Sequence, residues 1–232
     1  MKILATSDMH GNLEGLSLDG IDVALLAGDI APLHGFSAWH VHDQVKWMNK
    51  KFSAWCSKWP SCKVIFTPGN HDFFPVAKEK FNRPDIDFSL HLPENAHMLI
   101  DKEIDINGLK VYGTPWVPII SYRWAFEADT EKLIQKFSAI PENIDILLAH
   151  AAPRHNLLDV SLENGIDSQK FGSNALSEAV IEKKPKMLLC GHIHSGLHGT
   201  VKLGDTDARN VSRLNESYEI AYEPYIFEIG DR

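Results

Sequence analysis

The chain carries Thr67-Pro68-Gly69-Asn70-His71-Asp72-Phe73 directly after Lys63-Val64-Ile65-Phe66. The second stretch is a short apolar run that predicts a buried strand. Gly69 then lets the backbone turn sharply. An amide oxygen, an imidazole and a carboxylate follow at Asn70, His71 and Asp72. Open α/β sheets place their chemistry at such strand ends. Four other apolar runs close in the same way. Ile3-Leu4-Ala5 leads to Asp8-Met9-His10, and Val23-Ala24-Leu25-Leu26-Ala27 leads to Gly28-Asp29. Asp145-Ile146-Leu147-Leu148-Ala149 ends at His150, and Met187-Leu188-Leu189-Cys190 runs into Gly191-His192-Ile193-His194. Continuous apolarity, rather than alternation, predicts strands buried on both faces.

Between these strands, Val45, Met48, Phe52 and Trp55 form one apolar stripe, which predicts a helix over 42–58. Ile86, Phe88 and Leu90 alternate with polar residues, so antiparallel strands are expected in 85–113. Within that region Asn107-Gly108 marks a hairpin turn. Leu133, Ile134 and Phe137 predict a helix over 127–138, and Ser173 or Asn174 can cap one carrying Leu176, Ala179 and Val180. Residues 151–172, with Pro153, Gly165 and Gly172, predict a long functional loop. Leu197–Leu203, Asp207–Val211 and Tyr225–Ile229 are expected as terminal strands.

Of 232 residues, 44% are hydrophobic and 23% charged, and no linker or repeat interrupts them, so one domain over 1–232 is expected. The net charge of −8 argues against a nucleic-acid surface or an anionic-membrane anchor, which need basic patches. No stretch approaches the roughly 18 apolar residues of a membrane span. Three cysteines without a C-x-x-C pair, and an opening that turns polar by Asp8, imply a cytoplasmic protein without a secretory leader.

The five strand ends supply Asp8, His10, Asp29, Asn70, His150, His192 and His194. The i, i+2 spacings of Asp8/His10 and His192/His194 put each pair on one side of an extended segment. Carboxylates and imidazoles with a single amide oxygen suit Mn, Fe or Zn better than Ca or Mg. Seven ligands exceed what one ion needs, so two ions with a bridging carboxylate are expected.

The ordered set Asp-x-His, Gly-Asp, Gly-Asn-His-Asp, His and Gly-His-x-His, spanning 8–194, resembles the calcineurin-like metallophosphoesterases. That resemblance implies an α/β fold, a four-layer αββα sandwich of two mixed β-sheets flanked by helices, with two divalent metals at the sheet tips. It implies that Asp8, His10 and His194 hold one metal, that Asn70, His150 and His192 hold the other, and that Asp29 bridges. It makes His71 the proton donor to the leaving oxygen, with Asp72 orienting or tuning it. Manganese is the favoured ion for activity. Gly28-Asp29-Ile30-Ala31-Pro32 lacks the Asp-Arg of protein Ser/Thr phosphatases, and Asp-x-His sets aside the purple acid phosphatases. Gly113-Thr114-Pro115-Trp116 looks like the small metallophosphoesterase-domain phosphodiesterases, although His150-Ala151-Ala152-Pro153 departs from their Thr-His-Gly-Pro-Pro.

The expectation is therefore a dinuclear phosphodiesterase acting on small, nucleotide-like phosphoesters. A phosphomonoesterase with the same site and an inactive metal-binding scaffold are the alternatives. Arg123 and Arg154 are candidate phosphate contacts. Trp116 and Trp124 are candidate walls of a base cleft, and His34, His40 and His42 are candidate rim residues. Cys190 is expected to pack inertly.

Overall fold

The computed structural model describes residues 1–155, 157–160 and 171–230. Its strands are β1 (Lys2–Thr6), β2 (Val23–Ala27), β3 (Lys63–Thr67), β4 (Ala96–Met98), β5 (Lys102–Ile106), β6 (Leu109–Thr114), β7 (Val117–Pro118), β8 (Glu127–Ala128), β9 (Ile146–Ala149), β10 (Met187–Cys190), β11 (Thr200–Leu203), β12 (Thr206–Asn210) and β13 (Tyr225–Glu228). Its helices are α1 (Ala38–Trp47), α2 (Ser53–Ser57), α3 (Ala77–Phe81), α4 (Thr130–Ser138) and α5 (Asn174–Lys183). A π-helical turn, Met48–Phe52, joins α1 to α2.

Two mixed sheets face each other. The first has the order β13-β1-β2-β3-β4 and is parallel except at β13; the second has the order β11-β12-β10-β9-β6-β5 and is parallel at its centre. The layering follows from the alternation of side chains along each strand. Ile3, Ala5, Val23, Leu25 and Ile65 point from the first sheet towards Val111, Ile146, Leu148 and Leu189 of the second. Leu4, Ala24, Leu26, Val64 and Phe66 point the other way, onto Val41, Val45, Met48, Phe52 and Trp55 of the α1–α2 stretch. Leu147, Ala149, Leu188 and Cys190 meet Leu133 and Phe137 of α4 and Leu176 and Val180 of α5. The result is the four-layer αββα sandwich, and it explains why the central strands read as unbroken apolar runs.

Three local expectations change. The helix begins at Ala38 rather than His42, because Ser37 Oγ caps it by accepting from the His40 amide. It passes through the π turn before continuing. Residues 85–95 form no strand: Ile86 and Phe88 are buried singly in a loop, so their alternation records anchoring rather than pairing. The α4 helix begins at Thr130, capped by Asp129, and Glu127–Ala128 is a short strand instead. The predicted hairpin is β5–β6, with Asn107 at φ 53° and Gly108 at φ 87°, the left-handed pair that its tight turn requires. Half of the predicted loop over 151–172, Gly165 included, lies outside the described residues. Among the described residues no helix is long and apolar enough to cross a membrane.

Candidate metal centre

The parallel strands β1, β2, β3, β9 and β10 all end on one edge of the sandwich, which brings their polar tips together. Departure from the strands is abrupt. Asp8, His10, Asp29 and His192 have φ of 52°, 44°, 52° and 71°. Left-handed backbone costs an L-residue roughly 1–2 kcal/mol, and Asp and His tolerate it better than most. The i, i+2 pairs are therefore not displayed from extended backbone, as their spacing predicts. They converge because crosslinks between strand tips hold each turn: the Asp8 amide donates to Gly28 O and the His10 amide to Asp29 O, both at 2.9 Å. Gly69 is required by packing. A Cβ there would run into Asp29 Oδ1 and the Asp29 backbone nitrogen.

Asp8 and Asp29 are almost wholly buried. Asp8 Oδ2 accepts from Ser7 Oγ at 2.5 Å and Ser212 Oγ at 2.7 Å, while Oδ1 lies 3.5 Å from His194 Nε2. His194 Nε2 is also 3.3 Å from His10 Nε2. On the other side, His150 Nε2 lies 2.9 Å from Asn70 Oδ1. Asp29 Oδ2 stands between the two groups, 3.7 Å from His10 Nε2 and 3.5 Å from His150 Nε2. The second nitrogens of two rings are committed elsewhere: His150 Nδ1 donates to Ala27 O and His194 Nδ1 to Asn215 O, each at 2.9 Å. Such outer hydrogen bonds fix an imidazole's orientation and leave Nε2 to face a cation. The ring of His192 stands edge-on to His150, with centroids 5.1 Å apart.

Electrostatics gives the same picture. Burial pushes the Asp8 carboxyl up, but the hydrogen bond and charge of His194 outweigh it and hold Asp8 well below the carboxylate range. For Asp29, burial is likewise outweighed, by the charges of His150 and His71. Burial lowers His10 to about 4 and His192 to about 3, leaving neutral rings with free lone pairs. His150 and His194 are raised to about 9; burial opposes the shift, and Asp29 and Asp8 respectively overcome it. Protons on His150 and His194 thus balance buried carboxylates where cations can take their place. The ligand atoms of Asp8/His10/His194, of His10/Asp29/His71 and of Asp8/Asp29/His150 each lie within 4.8 Å of one another. Two carboxylates, four imidazoles and one amide oxygen make a donor set that fits divalent ions of borderline softness.

Cation uptake must displace the protons on His150 and His194, so it is expected to release protons and to weaken as pH falls from 8 to 6. Calorimetric titration with Mn in buffers of different ionisation enthalpy measures that release; uptake without protons would contradict the raised imidazoles.

The model of the calcineurin-like phosphoesterase family matches residues 1–196. The chain belongs to the calcineurin-like phosphoesterases. At that level it is a metal-dependent phosphoesterase, and its family implies divalent metal ions at this cluster. It is 30% identical over 188 residues to UPF0046 protein C25E10.12 of Caenorhabditis elegans, covering 77% of this chain and 66% of that protein. It is 26% identical over 247 residues to human metallophosphoesterase domain-containing protein 1, covering 98% of this chain and 71% of the relative. The solved structure of TT1561 from Thermus thermophilus superposes with a TM-score of 0.53 at 17% identity, covering 90% of this chain and 88% of that one. That likeness concerns the fold alone.

His71 sits beside the phosphoesterase cluster. Its amide donates to Asp29 Oδ1 at 2.8 Å, and its ring stacks on Trp124 with centroids 4.2 Å apart and an interplanar angle of 26°. Asp72 does other work than its sequence position implies. Its carboxylate accepts from the amides of Gly69 (2.8 Å), Ala31 (2.9 Å) and Ile30 (3.0 Å), and among the described residues no hydrogen bond joins it to the His71 imidazole. Burial, and then the charge of Asp29, raise it to about 7. Asp72 clamps the loop through these three amides.

The remaining predicted residues scatter. Trp116 is absent from the described cavity walls at the cluster: its Nε1 donates to Asp101 at 2.8 Å, and Lys132 and Lys136 lie over its ring. Arg154 pairs with Asp159 at 3.6 Å. Arg123 lies over the Phe36 ring at the rim. His34 borders the neighbouring cleft, whereas His40 pairs with Ser37 and His42 packs against Trp39 and Phe88. Cys190 is buried, its thiol raised by burial. A further cavity of about 690 Å³ opens at the opposite end of the strands, beside Lys63 and Ile106, and includes none of these cluster residues.

Gln44, Asn215 and Tyr218 have no sequence motif. Gln44, buried on α1, accepts from the Phe73 and Phe74 amides at 2.7 and 2.9 Å and donates to His71 O at 2.9 Å. A polar residue on an otherwise apolar helix stripe is the one signal that marks it. Gln44→Leu takes the partner from the buried Phe73 and Phe74 amides and from the His71 and Pro32 carbonyls, at about 1–3 kcal/mol for each group left unpaired. We expect a stability loss of about 3 kcal/mol or more by urea unfolding; an unchanged midpoint would show that the loop does not depend on it.

Proposed function

We propose that this chain is a dinuclear phosphodiesterase acting on small, nucleotide-like phosphoesters. Asp8, His10 and His194 would hold one ion and Asn70, His150 and His192 the second, with Asp29 shared. The observation that carries the proposal is the position of Asp29 Oδ2 between the His10 and His150 rings. When bound, two divalent ions supply Lewis acidity towards phosphoryl oxygens and lower the pKa of water to make a nucleophile at neutral pH. Manganese is the favoured ion for activity, with iron or zinc also suited to this donor set.

The protein's own part is orientation and proton delivery. Asp29 fixes the His71 backbone, and Trp124 holds its ring in one plane. The His71 imidazole is thereby presented to the departing oxygen, which takes a proton as its bond to phosphorus breaks. The organic part of the substrate has a neighbouring aromatic cleft of about 560 Å³, bordered by Phe36, Trp124 and Tyr218. The acidic charge of the chain disfavours nucleic acid as substrate.

Residues 1–232 are proposed to form one domain, since β12 pairs with β10 and β13 with β1 although both lie beyond the family match. Three free, buried cysteines support a cytoplasmic location. The Mn-loaded protein assayed on bis-p-nitrophenyl phosphate and p-nitrophenyl phosphate tests the activity. Turnover of the diester is expected. Turnover of the monoester alone would make the chain a phosphomonoesterase, and turnover of neither, with metal bound, would leave a scaffold.

A further inference from the structure

Two cavities meet at the cluster. The smaller, about 210 Å³, is bordered by Asp29, Asn70, His192 and His194. The larger, about 560 Å³, runs outward past Met9, Pro32, Leu33, His34 and Phe36. His71, Trp124 and Tyr218 border both and form the neck between them. Resting on the phosphodiesterase reading above, we infer that the smaller cavity receives the phosphoryl group and the larger receives the leaving group, an uncharged planar moiety that stacks on Tyr218.

The position of His71 sets the direction. A group that protonates the departing oxygen must stand where that oxygen leaves phosphorus. His71 stands at the neck, so departure runs from the metal cluster into the larger cleft. The cleft's composition sets the chemistry. The described residues that border it include no carboxylate, lysine or arginine, and Arg123 meets it only over the Phe36 ring at the rim; the walls are apolar or aromatic, with Asn12 and the imidazoles of His10, His34 and His71 as polar groups. A cationic leaving group would lose its hydration there with no carboxylate to pair with.

Tyr218 is the residue built for stacking. One side of Trp124 is already taken by His71, and Phe36 meets Trp124 edge-on with centroids 4.9 Å apart. Tyr218 touches His10 and His194 only by edge contacts, at 4.8 and 5.4 Å between centroids, and is 52% exposed. Its backbone is held at φ 61°, an outlier for a bulky residue. Asn215 imposes it: Asn215 O accepts from the Tyr218 amide at 2.9 Å, and Asn215 Oδ1 accepts from the Ser217 and Glu219 amides at 3.0 and 2.9 Å. The same Asn215 carbonyl accepts from His194 Nδ1. One turn therefore orients a ligand-bearing ring and presents the aromatic ring beside it. Backbone strain kept at such a place points to function.

The test has a binding arm and a kinetic arm. Saturation-transfer NMR on the Zn-loaded protein should show adenosine bound and choline not, with the adenosine signal lost in Tyr218→Ala and kept in Tyr218→Phe. On the Mn-loaded protein, Tyr218→Ala should raise KM for a dinucleoside monophosphate about tenfold, with a far smaller effect on kcat. The inhibition constant of inorganic phosphate, which occupies the small cavity alone, should move less than twofold. Choline binding in preference to adenosine, or adenosine binding indifferent to Tyr218→Ala, overturns the inference. If no diester is cleaved yet adenosine binds through Tyr218, the phosphodiesterase reading fails while the cleft assignment stands.

Discussion

Asp29→Asn is expected to lower kcat/KM by about 10³-fold, the upper end of what one lost electrostatic contact costs a reaction and equal to about 4 kcal/mol. The replacement keeps the side chain's shape. Its Oδ1 position can still accept from the His71 amide. What disappears is the negative charge that His10 and His150 share. With that charge gone, both ion sites lose their common anion, and metal content measured on the purified variant should fall together with activity. If the variant keeps full metal content and loses no more than a few-fold in rate, Asp29 is a loop residue and the dinuclear reading fails at its centre.

His71→Ala should behave differently. Metal content is expected to stay near the wild-type level, because the Asp29 contact comes from the His71 backbone amide, which alanine retains. The rate should fall by about 10²–10⁴-fold on substrates with an alkyl leaving group, the usual contribution of a positioned general acid. On p-nitrophenyl esters the loss should be much smaller, since nitrophenolate departs without needing a proton. A rate loss of equal size for both classes would remove His71 from proton transfer. Loss of metal would make it a ligand, as its proximity to His10 and Asp29 allows. Together the two variants separate holding the ions from delivering the proton, although the Asp29 carboxylate accepts directly from the His71 amide.

The parts of this protein legible in its sequence are those that regular structure dictates. Buried parallel strands demand unbroken apolar runs, and their polar termini are then conspicuous, so Asp8, Asp29, Asn70, His150 and His194 can be placed at one sheet edge before any coordinates. The hairpin at Asn107-Gly108 is equally readable, because a left-handed pair there needs those residues. What escapes depends on long-range bonds from irregular chain. Residues 119–127 are gathered by the Glu127 carboxylate, which accepts from the amides of Ile120, Ser121 and Trp124. The Ala125 amide then donates to Asn70 O at 3.0 Å, which sets Trp124 against His71. No periodicity announces such an arrangement. Ser212, Asn215 and Tyr218 reach the site from beyond its last motif, and their spacing carries no signature of the Asp8 and His194 contacts they make. Asp72 misleads for a related reason. A carboxylate next to an imidazole suggests a catalytic pair, but adjacent residues at a tight turn point apart, and the backbone amides of Ile30, Ala31 and Gly69 claim it instead.

Anomalous scattering at the manganese edge, from crystals of the Mn-loaded protein, addresses the dinuclear centre most directly. Two peaks on the order of 3.5–4 Å apart are expected, the usual spacing of paired catalytic ions. One should be bordered by Asp8, His10 and His194, the other by Asn70, His150 and His192, with Asp29 between them. A single peak away from Asp29, or none at full manganese loading, would contradict the assignment of these seven side chains.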